Sequence, residues 1–190
     1  MTYLQELGVS LEDPITFAVL TQIKAPTMGE ISRAEFIAGW EECGADTIQK
    51  QAAMIPRLRD LLQHDATNFR NVYKHAFILA REVGQKGVKI EVAVDVWQQL
   101  FSPAGLSWVT KGFNWTDAYG SFMQEKWNKT ISKDLWDQTL FFAKKTLEDP
   151  TLSWWNEEES AWPSILDDFA KHIKTSPGYK SVAGEAMDTS

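Results

Sequence analysis

Glu157-Glu158-Glu159-Ser160-Ala161-Trp162-Pro163-Ser164-Ile165-Leu166-Asp167-Asp168-Phe169 sets a small residue, an indole, a proline and two carboxylates close behind an acidic run. The segment reads as an acidic loop entering a short helix. Pro163 suits a first helical turn, where a missing N–H is no loss. Ile165, Leu166 and Phe169 fall at helical spacing and would be buried together. Asp167 and Asp168 then stand beside that seam, exposed and negative. Two readings fit: a solvated acidic face, or a docking patch for a basic partner with Ala161 kept small for close approach.

Outward from this stretch, almost every segment reads as helix. Asp13-Pro14 is a cap followed by proline, and Ile15, Val19 and Ile23 space one apolar face with Leu20 beside them. Ser32-Arg33-Ala34-Glu35 has the form of a capping box, opening a helix that reaches Cys43-Gly44. Thr47 can cap the next segment, which Pro56 is expected to break or kink. Asn68 is expected to open another helix, with Phe69, Val72, Tyr73, Ala76, Phe77 and Ala80 inward and Gly84 ending it. Ile90, Val92, Val94 and Val96 alternate like a strand, but Ala93, Trp97, Leu100 and Phe101 extend a helical face. No second strand-like run offers a partner, so the segment is assigned as helix. Ser102 to Trp115 reads as a loop, Thr116 to Trp127 as helix, and Ser132 caps a helix to about Leu147 that Asp149-Pro150 stops. The last helix runs from Pro163 to about Ile173. The fold class is therefore all-α, with one helical domain over residues 1–173 and a loose tail over 174–190.

The chain has 190 residues, enough for a sizeable core, and 44% are apolar. Its nine tryptophans must mostly be buried or lie at interfaces. A net charge of −7 disfavours nucleic acid and anionic membrane as partners and suits a basic protein. Cys43 is the one cysteine, which excludes an internal disulfide and points to the cytoplasm or nucleus. No apolar run approaches membrane-spanning length.

Lys24 to Glu35 has the skeleton of an EF-hand loop, with Gly29 sixth, Ile31 eighth and Glu35 twelfth. The ligand positions fail: Lys24, Pro26 and Met28 stand first, third and fifth, and none offers the carboxylate that calcium needs. No metal or cofactor is expected. Enzyme chemistry is equally absent from the pattern. His64, His75 and His172 show no metal-ligand spacing, and Cys43 reads as a buried structural thiol near a helix end. Asp167 and Asp168 are adjacent on a helix, about 100° apart, and do not converge on one substrate atom. A non-catalytic binding protein is favoured. From the residues alone the loop skeleton fits either coincidence or a persisting EF-hand shape, and one reading is a metal-free, EF-hand-like helical interaction module with unrelated partners.

The acidic-aromatic stretch, together with Glu30-Ile31-Ser32-Arg33-Ala34-Glu35-Phe36, Met54-Ile55-Pro56, Gly84-Gln85-Lys86-Gly87 and Ile131-Ser132-Lys133-Asp134-Leu135-Trp136, resembles the potentiating-neddylation (PONY) domain of the defective-in-cullin-neddylation family. The blocks occur in the family's order and cover roughly residues 3 to 173. The resemblance implies a compact helical domain of degenerate EF-hand-like units, whose paired upstream hand would precede Tyr3 and is missing here. It implies a scaffold-type co-ligase that holds a cullin's winged-helix region beside an E2. It further implies a cullin-binding patch at Asp134, Ala161 and Asp167. An apolar pocket for the E2's acetylated amino-terminal methionine would fall at Thr16, Val19, Leu20, Ile23, Met28, Leu79, Val96 and Gln99.

With Lys24, Pro26 and Met28 in place of acidic ligands, isothermal titration at millimolar calcium is expected to give no saturable heat. A stoichiometric site with a raised melting temperature would contradict this reading.

Overall fold

The computed structural model describes residues 2–156, 158, 161–176 and 178–179. Its helices are α1 (Thr2–Glu6), α2 (Ile15–Gln22), α3 (Arg33–Glu41), α4 (Ile48–His64), α5 (Ala66–Ala80), α6 (Ile90–Leu100), α7 (Trp115–Lys126), α8 (Lys133–Glu148) and α9 (Ser164–Thr175). A two-stranded antiparallel hairpin, β1 (Val109–Thr110) and β2 (Phe113–Asn114), precedes α7. The all-α expectation holds. Among the described residues no helix is long and apolar enough to cross a membrane. The chain forms two compact units, Met1–Ser107 and Trp108–Ser190.

In the first unit α2 is the hub. All six residues from Ile15 to Leu20 are buried, and the helix packs on α4 and α5. Its start is set by Asp13, whose carboxylate accepts the Ile15 N–H at 3.0 Å. The Arg59 guanidinium on α4 grips the same carboxylate through both terminal nitrogens. The paired geometry fixes the α4–α2 register more firmly than a single-point contact. Thr47 caps α4 as expected, accepting from Lys50 N. Pro56 does not break that helix, because buried Ile55, Leu58 and Leu62 on both sides of it hold the turns against α2 and α5. α5 opens at Ala66 rather than Asn68, since the Asp65 carboxylate accepts the Asn68 N–H at 2.6 Å and so acts as the cap. Phe69, Val72, Tyr73, Ala76 and Phe77 face inward as expected, but Leu79 is buried while Ala80 is half-buried and ends the helix, short of Gly84; Trp97 on α6 donates its indole N–H to the Tyr73 hydroxyl at 2.9 Å.

The helix–loop–helix of α2 and α3 differs from the EF-hand expectation in detail. Gly29 is absent from the left-handed conformations, whereas Lys24 adopts φ 45° and ends α2. Thr27 and Glu30 form an isolated bridge, and Ile31 is exposed instead of pairing with another hand. Ser32 makes no side-chain cap bond, so the capping box is not formed; Glu35 lies 3.9 Å from Lys24. At the far end Gly44, with φ 66°, turns the chain after α3, and Cys43 is half-buried rather than enclosed.

The second unit is built on stacked aromatics. Trp108 and Trp115 stack at 6.3 Å with 7° between their planes, and Trp108 donates to the Thr146 hydroxyl at 2.6 Å. The expected loop before α7 thus contains a hairpin. Lys111 and Gly112 both have positive φ, the pairing of a two-residue turn that matches strand twist. Phe169 of α9 packs on Tyr119 and Phe122 of α7 at 4.9 and 5.3 Å. Lys174 and Thr175 complete α9, and buried Tyr179 donates to the Pro150 carbonyl at 2.7 Å. The expected tail from Lys180 onward lies outside the described residues.

Gly39 shows how closely α3 approaches α2. Its carbonyl accepts from the Gln22 amide at 2.7 Å, and a Cβ there would lie 2.3 Å from the Gln22 carbonyl oxygen. Gly→Ala inside a helix normally stabilises by about 0.5–1 kcal/mol. Here the sign is expected to reverse, because forced overpacking costs roughly 1–3 kcal/mol. Urea denaturation of Gly39→Ala should show a lowered midpoint; an unchanged or raised one would contradict the close approach.

Candidate docking surface and peptide pocket

The expected cullin patch lies wholly within the second unit. Ile131 is buried, which anchors the chain just before α8, and the Ser132 hydroxyl accepts the Leu135 N–H at 3.2 Å. Asp134 therefore stands in the first turn of α8, exposed, where a carboxylate also complements the helix dipole. Seven residues later, nearly two full turns along and on the same face, Phe141 is 50% exposed. Its ring stacks on Trp162 at 5.2 Å with 28° between the planes, while Trp162 meets Phe142 edge-on at 5.6 Å. This clasp holds the residue after Ala161. Ala161 is exposed beside an aromatic shelf that continues the Asp134 face of α8.

The loop between α8 and α9 is organised by Asp149. Its carboxylate accepts from the Thr151 N–H and hydroxyl at 2.9 and 2.6 Å and from the Ser153 hydroxyl, and its carbonyl accepts the Trp154 indole N–H at 3.1 Å. Burial alone would push the pKa up, but the hydroxyl and N–H donors from Ser153 and Thr151 outweigh it and hold the carboxyl below its usual range. Leu152, buried with φ 56°, then turns the chain, and the Trp155 N–H bonds the Leu152 carbonyl at 3.2 Å.

Asp167 is where the structure corrects the sequence. It was expected exposed beside the helix seam. It is half-buried, and its Oδ1 accepts the Trp155 indole N–H at 2.8 Å. Asp168 and Glu158 are exposed, whereas Glu157 and Glu159 lie outside the described residues. Neither Trp155 nor Phe141 was singled out from the sequence. Twelve residues separate Trp155 from Asp167 across an irregular loop, beyond any helical or strand periodicity. The acid-flanked density of tryptophans at 154, 155 and 162 was the available signal.

The expected peptide pocket lies in the first unit and is mostly closed. Thr16, Val19, Leu20, Ile23, Leu79 and Val96 are buried, and the Thr16 hydroxyl donates to the Ser10 carbonyl at 2.8 Å. Met28 and Gln99 are half-buried and mark its edge. Gln99 Oε1 is buried and accepts no hydrogen bond. A cavity of about 250 Å³ opens nearby in sequence, lined by Leu4, Gln5, Val9, Ser10, Leu11 and Glu12. Ser10 is the link between this cavity and the buried Thr16. Among the described residues no group of three or more His, Cys, Asp and Glu could hold a metal ion.

These features define an all-α protein whose outward face sets carboxylates among aromatic rings. Residues 50–172 match the family model described as cullin binding. The chain is 34% identical over 198 residues to Defective in cullin neddylation protein 1 of Pyricularia oryzae, spanning 98% of this chain and 70% of the relative. Against the Yarrowia lipolytica protein of that name it is 30% identical over 172 residues, spanning 90% and 68%. Against DCN1-like protein 4 of Homo sapiens it is 28% identical over 172 residues, spanning 90% and 55%. The chain belongs to the cullin-binding, defective-in-cullin-neddylation family.

Proposed function

We propose that this protein is a scaffold-type co-ligase in cullin neddylation. It binds the winged-helix region of a cullin through Asp134, Ala161 and Asp167, and an E2 through the apolar site on α2, α5 and α6. The observation that carries the reading is that the cullin-binding match over residues 50–172 encloses all three patch residues, with Asp134 and Ala161 open to solvent. The carboxylates attract a basic partner and fix its register. Ala161 presents only a methyl group, which allows the partner's backbone to come close. The protein supplies no covalent chemistry. It accelerates transfer of the ubiquitin-like modifier by holding E2 and acceptor together, a source of several kcal/mol.

On the E2 side, an acetylated amino terminus suits the site. A bare ammonium would be costly to bury among Val19, Leu20, Ile23 and Leu79, whereas an acetyl amide needs only hydrogen bonds. The buried Gln99 Oε1 is an acceptor for such an amide N–H. The half-buried Cys43, a free thiol, suits the cytoplasm and nucleus, where we place this activity.

Two measurements test the reading. Asp134→Lys and Ala161→Arg should each weaken binding of a cullin carboxy-terminal domain by at least about tenfold, by like-charge repulsion and by steric exclusion respectively. Both positions are exposed, so thermal melts should shift little, within about 1 kcal/mol. Full affinity in both variants would remove the patch. In fluorescence polarisation, an E2 amino-terminal peptide should bind at least about tenfold, or roughly 1.4 kcal/mol, better when its first methionine is acetylated. Equal affinities of the two peptides would contradict the pocket.

A further inference from the structure

We propose that Trp155 is a positioning residue for partner recognition, fixing the Asp167 carboxylate in the orientation that meets a cation of the docking partner. The proposal rests on the docking role given above for Asp167. The observations are geometric. The Trp155 indole N–H points at Asp167 Oδ1 from 2.8 Å. The face of the same indole lies beneath the Lys174 ammonium, 4.7 Å from the ring centroid. Asp167 and Lys174 are seven residues apart and so share a face of α9, about 10 Å apart along its axis. One indole therefore spans two turns of the helix, with its N–H edge on the acid and its ring under the base.

The indole is itself held from behind. Its backbone N–H bonds the Leu152 carbonyl, and the left-handed turn at Leu152 hangs from the Asp149 hydrogen-bond cluster. The loop's rigidity is thus passed to a side chain on α9. A carboxylate on a free surface helix samples several rotamers and loses that freedom when it pairs with a partner. Asp167 has made that adjustment before the partner arrives. The indole N–H is a neutral donor to the carboxylate, and the ring engages the Lys174 ammonium two turns along the same face of α9.

The experiment uses the full chain and a cullin carboxy-terminal domain. Trp155→Phe keeps an aromatic ring for Lys174 and removes the N–H together with part of the indole's area. It should weaken binding by about threefold to tenfold with little change in the melt, and in an Asp167→Ala background, which removes the acceptor, it should cause no further loss. A role confined to packing would give the same loss in both backgrounds and would overturn the proposal. Wild-type affinity in Trp155→Phe, with Asp134→Lys and Ala161→Arg still defective, would overturn it while leaving the docking patch in place. If all these variants bind normally, both readings fall together. A readout on the unaltered chain covers the case of a destabilised variant: the Trp155 indole N–H resonance should move when the cullin domain is titrated in. An indole resonance indifferent to the partner would also overturn the proposal.

Discussion

A buried indole N–H is a donor that water can no longer serve, and this chain carries nine tryptophans. Three of the inward rings find a hydroxyl acceptor that ties one element to another, whereas the buried Nε1 atoms of Trp40 and Trp127 find none. Trp97 finds the Tyr73 hydroxyl, Trp108 the Thr146 hydroxyl and Trp115 the Thr110 hydroxyl. Each bond joins two elements at one register: α6 to α5, the hairpin approach to α8, and α7 to β1. Apolar burial supplies the driving force, yet it is non-directional. The indole donors add the direction.

The docking surface extends the same rule outward. Trp154 and Trp155 lie in an irregular loop, half-buried, and both N–H groups are satisfied by aspartates, one through its backbone carbonyl and one through its carboxylate. Trp162 closes the loop by stacking on Phe141. Next to this anchor the chain presents Ala161 to solvent. An alanine on a loose loop would allow close approach without defining where. Here the Phe141–Trp162 clasp holds the residue next to Ala161, while Asp134 lies on α8 and Asp167 on α9.

Most of the fold was legible because its signals are local. Thr47 and Ser132 cap within three residues, and the faces of α5, α6 and α8 follow a 3.6-residue period that needs no knowledge of the partner. The errors fall where tertiary geometry decides. Ser32 has the sequence of a capping box, but its hydroxyl makes no cap bond. Pro56 has the chemistry of a helix breaker, but packing on two neighbouring helices outweighs one lost backbone bond. The hairpin has two-residue strands, too short to show alternation, although Lys111-Gly112 carried its turn signal. Gly29 sits at the EF-hand's turning position, yet the turn is made by Lys24. The types and positions of the candidate patch residues came from family resemblance. That Asp167 is held by a tryptophan twelve residues away came only from the structure.

The indole shared by Asp167 and Lys174 also bears on how this surface can change over generations. A helix face of independent charges can drift one residue at a time. Here a single ring serves an acid and a base two turns apart, so replacing it disturbs both, and residues in direct contact do not contribute additively. Positions 155, 167 and 174 therefore form one heritable unit drawn from two different elements. Under the proposed docking role, a lineage facing a changed partner would find Asp134, in the first turn of α8, the freer position to adjust, and Asp167 the one tied to companions on another element.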